Sequence, residues 1–107
     1  PLCQLDDIPD GNSTALIGEI DGVRTALIAI RQGKDIFLYI NSCPHIGAPL
    51  DFQPGRFLNL DKTLIQCAMH GALFTIETGH CVEGPCIGKK LQAVPCDVRD
   101  SQVWLTV

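Results

Sequence analysis

Three apolar runs of strand length, separated by short polar turns, dominate the first half of the chain: Ala15-Leu16-Ile17-Gly18-Glu19-Ile20, Thr25-Ala26-Leu27-Ile28-Ala29-Ile30 and Ile36-Phe37-Leu38-Tyr39-Ile40-Asn41. Asp21-Gly22 between the first two is a tight-turn signal and predicts a hairpin. Gly33-Lys34-Asp35 punctuates before the third. Ahead of them, Leu2 to Ser13 mixes Asp6, Asp7 and Asp10 with Pro9, Gly11 and Asn12, which reads as an opening strand and a solvated loop. Further on, Thr63-Leu64-Ile65-Gln66 and Ala72-Leu73-Phe74-Thr75-Ile76 read as strands, with Asn59-Leu60-Asp61-Lys62 and Glu77-Thr78-Gly79-His80 as turns. Val82 to Cys86 is expected to be a proline-bearing loop. Leu91 to Val94 with Val98 and the closing Gln102 to Val107 supply a last hairpin, with Asp100-Ser101 at its turn. Nowhere does a helical i, i+3, i+4 pattern of useful length occur, so the expected fold class is all-β, an antiparallel sandwich or barrel. Tyr39 and Trp104 are expected in its core.

The chemistry lies between these runs. Cys43-Pro44-His45-Ile46-Gly47-Ala48-Pro49 follows the third strand, and Cys67-Ala68-Met69-His70-Gly71-Ala72 follows the fourth. Each offers one thiolate and one imidazole at the end of a strand, which implies a metal. Structural zinc sites usually pair like with like, C-x2-4-C and then H-x3-5-H, whereas both loops here are mixed. Two irons divide such a set naturally, with Cys43 and Cys67 on one and His45 and His70 on the other. A zinc site, or a chance grouping of core cysteines and surface histidines, stays open on the residues alone.

On these paired motifs the chain, from about Asn41 onward, resembles the Rieske [2Fe-2S] family. The resemblance implies one cluster per chain, bound by Cys43, His45, Cys67 and His70, with the histidine-bound iron near the surface and accepting the electron. It also implies a single domain over 1–107, a Rieske-type antiparallel sandwich or barrel into which a cluster-binding subdomain, about 42–86, is inserted. Respiratory members add a cysteine to each ligand loop as a disulfide brace; the matching positions here are Ala48 and Met69. They also carry a serine and a tyrosine hydroxyl beside the cluster, where this chain has Ala72 and Phe74. Without those donors the potential is expected near the low end of the family range, roughly −150 mV rather than +300 mV. The stretch from 46 to 66 between the ligand pairs is longer than expected of the family's ferredoxins. Ile46, Pro49, Met69 and Pro85 are expected to form an apolar collar around the site.

Composition narrows the function. With 107 residues the chain has room for one core and no second catalytic domain. Eight scattered basic residues and a formal charge of −4 argue against nucleic acid or an anionic membrane as partner. No apolar run is long enough to span a bilayer, and Pro1-Leu2-Cys3-Gln4 has no export-signal character; an initiator methionine is expected upstream. Cys3, Cys81, Cys86 and Cys96 follow no disulfide framework and are expected to be reduced thiols of a cytoplasmic protein. A redox-active disulfide between Cys81 and Cys86 is the alternative. His80 is expected to be an exposed turn residue.

The resemblance then implies a non-enzymatic electron carrier, taking single electrons from a flavin-dependent reductase to a terminal oxygenase or similar acceptor. The alternative is a small subunit or detached domain of a larger Rieske oxygenase or nitrite-reductase-like oxidoreductase. A zinc-stabilised interaction module is the third reading.

Overall fold

Residues 2–44, 50, 56–67 and 71–106 are described by the computed structural model. They form three three-stranded antiparallel sheets, and the middle one organises the other two. It consists of β2 (Ser13–Ile20), β3 (Val23–Gln32) and β4 (Asp35–Ile40), in that order. The turn between β2 and β3 has Asp21 at φ 51° and Gly22 at φ 79°. Positive φ at both central residues is the two-residue hairpin geometry whose twist matches that of its strands, so the predicted hairpin is present and longer than the apolar runs alone suggested.

β3 feeds two cores at once. Ile28 and Ile30 enter one cluster, with Tyr39, Phe57, Ile65 and Phe74, while Leu27 and Ala29 enter a second, with Leu5, Ile8, Leu38 and Val103. Successive strand residues point to opposite faces, so four consecutive buried residues mean a strand covered on both sides. β4 divides in the same way, with Tyr39 on one side and Ile36 and Leu38 on the other.

The second core is closed by β1 (Cys3–Gln4), β8 (Cys96–Arg99) and β9 (Gln102–Leu105), in the order β1-β9-β8. Asp100 and Ser101, at φ 53° and 59°, turn β8 into β9, as the sequence predicted. Three expectations differ here. The first arm of this hairpin is Cys96–Arg99, because Leu91 to Val94 makes only an isolated bridge, between Ala93 and Tyr39. After β1 the chain forms a 3-10 turn at Leu5–Asp7 that buries Leu5, where a solvated loop was expected. Arg31 holds this turn against the middle sheet, its Nη1 donating to the carbonyls of Ile8 at 2.9 Å and Leu5 at 3.3 Å. Trp104 is only partly buried and lies against the Arg99 guanidinium, 5.3 Å from ring centre to Cζ, so it is not a core residue.

The first core is closed by β5 (Leu64–Gln66), β6 (Leu73–Thr75) and β7 (Cys81–Glu83), in chain order. β7 corrects the expected loop. Cys81 pairs with Phe74 and Glu83 with Leu73 across a bulge, and the proline-bearing turn begins only after Glu83.

Candidate metal centre

β4 delivers the chain to Cys43, and β5 delivers it to Cys67. Both cysteines are buried, Cys43 at 2% and Cys67 at 0% exposure, and both belong to the core on the β5–β7 side. The ends of the two loops are tied by hydrogen bonds. Asn41 Oδ1 accepts from the Leu50 N–H at 2.8 Å, bridging the first loop where it leaves and rejoins the core. In the second, the Cys67 N–H donates to Ala72 at 2.9 Å and the Gly71 N–H donates to Cys67 at 3.0 Å. His45 and His70, and with them Ile46, Ala48, Pro49 and Met69, lie outside the described residues.

A third segment packs against Ala72, just past the second loop. Gly84, at φ +105°, passes so near Ala72 that a Cβ there would lie 2.7 Å from the Ala72 Cα. Only glycine gives both that backbone conformation and that approach. Beyond it, Cys86 is 1% and Cys81 6% exposed, and the Cys86 thiol donates to Cys81 Sγ at 3.2 Å. Burial, the Cys81 contact and the charges of Cys81, Cys43 and Cys67 push the Cys86 thiol up to about 12. Four sulfurs from three segments therefore share one neighbourhood. The other two thiols, Cys3 and Cys96, flank the opposite core and are raised chiefly by burial.

Ala72 and Phe74 are buried at 1% and 0% exposure, so the two positions that lack hydroxyls face the interior. His80 is exposed and distinct from the centre: its carbonyl accepts from Thr75 and it bridges Lys90. Pro85 is exposed, with Val82 at 50% and Ile87 at 66% exposure on the same segment, and the other three residues of the expected collar lie outside the described residues. Sequence reasoning did not single out Asn41 and Gly84. The signal at Gly84 was a glycine before a proline between two cysteines; nothing local marked Asn41.

Residues 1–98 match the family model described as the Rieske [2Fe-2S] domain, and the chain belongs to that family. Its cofactor is accordingly one Rieske [2Fe-2S] cluster, and two buried thiols that each follow a strand and share one core suit the cysteine-bound side of it. The chain is similar to the cholesterol 7-desaturase of Caenorhabditis elegans, 37% identical over 86 residues that make up 75% of this chain and 19% of the desaturase. It thus spans about a fifth of that protein. Among solved structures it is similar to a Sphingomonas yanoikuyae B1 ferredoxin, with 28% identity, TM-score 0.71 and coverage of 97% of this chain and 93% of that one. The ferredoxin of carbazole 1,9a-dioxygenase from Nocardioides aromaticivorans IC177 shares the fold at 24% identity and TM-score 0.75, with 97% and 92% covered. A chain in the reduced complex between oxygenase and ferredoxin of carbazole 1,9a-dioxygenase does so at 20% identity and TM-score 0.79, with 98% of this chain and 27% of that chain covered. No helix among the described residues is long and apolar enough to cross a membrane.

Proposed function

We propose that this chain is a one-electron carrier in which Cys43 and Cys67 hold one iron of the cluster and His45 and His70 the other. The observation that carries the reading is the joint burial of Cys43 and Cys67 in one apolar core at strand ends, each starting a loop that contains a histidine. A bound cluster supplies reversible one-electron oxidation and reduction. The protein's own residues exclude water from the two thiolates, through Leu50, Phe57 and Phe74, and tie the loop ends through Asn41 and Gly71. We take 1–107 as one domain with the cluster-binding insert at about 42–86; the separate sheet β5–β7 supports that division.

The electrons come from a flavin-dependent reductase and go to a terminal oxygenase or similar acceptor. Similarity to a ferredoxin at 28% identity supports the carrier reading. The thiol complement suits a reducing compartment, and the cytoplasm is the location proposed. A second reading has an observation of its own. The 37% identity to a stretch forming 19% of a desaturase favours a Rieske domain that works within a larger oxygenase.

Substitution tests the ligand set. His45→Ala or His70→Ala should abolish the native absorption and the low-average-g resonance, while His80→Ala should leave both intact. A native spectrum without His70 would sink the assignment. Metal and acid-labile sulfide analysis separates the cluster from zinc. In a reconstituted chain of reductase, this protein and oxygenase, turnover that rises with added protein supports the carrier. Turnover only when the domain is fused to a catalytic domain supports the second reading.

A further inference from the structure

We propose that Cys81 and Cys86 are a peroxide-sensitive dithiol that closes to a disulfide beside the cluster site without using its cysteine ligands. The two sulfurs are already in contact at 3.2 Å, and a disulfide bond of about 2.05 Å needs them to close by roughly 1 Å. Both belong to one short segment, β7, which begins at Cys81, and the turn that follows it, so little chain has to move. That segment contains Gly84 and Pro85 and is held at its base by backbone bonds from Cys81 to Lys89 at 3.0 Å and from Lys89 to Cys86 at 2.9 Å.

The Cys86 thiol donates to the Cys81 sulfur, and neither residue belongs to the ligand set proposed above. Cys3 and Cys96 pack around the other core and cannot compete for either partner. Cys81 is the more exposed of the pair, 6% against 1%, and its sulfur lies beside the Glu83 carbonyl at the rim of β7. In the proposal Cys81 is accordingly the thiol that reacts with the oxidant and Cys86 the resolving thiol.

The step balances with one peroxide. Cys81 sulfur attacks a peroxide oxygen, the O–O bond breaks, and one water leaves as Cys81 becomes a sulfenic acid. Cys86 sulfur then attacks Cys81 sulfur, the S–O bond breaks, and the second water carries away the remaining thiol proton. Two electrons pass from the two sulfurs to the peroxide. The product ties the segment that carries Gly84 against Ala72, the residue following the second ligand loop.

The inference is independent of which partner the carrier serves, and its test uses the cluster-loaded protein alone. Wild-type protein is treated with hydrogen peroxide while the cluster absorption is followed, then denatured, alkylated and mapped by mass spectrometry. The expected product is a Cys81–Cys86 link, two hydrogens lighter and reversed by dithiothreitol, formed while the absorption persists. In C86S, which lacks the resolving thiol, dimedone should instead trap Cys81 as the sulfenic acid. Full alkylation of both cysteines after treatment overturns the proposal. So does a link from either to Cys43 or Cys67, or a Cys81–Cys86 link that appears only after the cluster absorption is lost.

Discussion

At the residue scale the tightest constraint is Gly84. Its φ of +105° and the 2.7 Å approach of a would-be Cβ to Ala72 mean that Gly84→Ala meets both backbone strain and a collision with main chain. Loss of about 1–3 kcal/mol is expected. It should appear as a lower melting temperature and faster bleaching of the cluster, and unchanged values for both would show that the turn yields. Ala72 and Phe74 make a second residue-scale prediction, about redox poise. Their burial beside the ligand loops leaves no side-chain hydroxyl at either position to stabilise a more negative reduced cluster. Voltammetry should put the midpoint near the low end of the family range, roughly −150 mV, with little change around neutral pH. Ala72→Ser combined with Phe74→Tyr should raise it. A wild-type midpoint several hundred millivolts positive would refute the role assigned to the missing hydroxyls.

At the scale of elements, β4 couples the middle sheet to the cluster side through Tyr39. Its hydroxyl donates to the Ile76 carbonyl just beyond β6, and its ring packs against Gly79. Burial, with the Glu77 carboxylate adding to it, raises the phenol to about 12. The folded protein therefore binds this proton more tightly than the unfolded chain does. Its stabilising contribution is fully present below the ordinary tyrosine value near 10 and is lost as pH rises from there toward 12. Denaturant midpoints should fall over that range in the wild type. Tyr39→Phe, which loses the hydrogen bond at every pH, should start lower and show a flatter alkaline slope; equal slopes would mean that another group governs the decline.

For the molecule as a whole, the two-core arrangement leaves one face of the middle sheet for the sulfur-rich segments and the other for the N- and C-terminal strands. Val82, Pro85 and Ile87, all exposed, flank the exposed, acidic Glu83 along the chain on the sulfur-rich side. In the proposed role this surface meets a partner, and Glu83 steers a basic face toward it before apolar contact forms. Reversing its charge with Glu83→Lys should slow association with the acceptor several-fold at low ionic strength and leave the cluster spectrum alone. The effect should fade as salt passes about 0.15 M, where screening shortens to roughly 8 Å. A salt-independent defect, or none in a reconstituted electron-transfer chain, would mean that the partner docks elsewhere.

What the sequence determined by itself is local chemistry. A cysteine and a histidine within one loop, twice, is a donor set whatever surrounds it, and Asp21-Gly22 or Asp100-Ser101 makes a tight hairpin from backbone preference alone. Apolar runs such as Leu27 to Ile30 announce a strand for the same reason. Tertiary structure decided what depends on partners distant in the chain. β7 is a strand because β6 supplies its hydrogen bonds, although Gly84 and Pro85 beside it look like a loop. Trp104 stays at the surface because the second core is filled by Val103 and its neighbours, and Arg99 covers the ring instead. The Cys81–Cys86 contact follows from the same cause. Five residues of spacing are compatible with many separations, and it is the pairing of Cys81 with Phe74 and the turn at Cys86 to Lys89 that bring the sulfurs together.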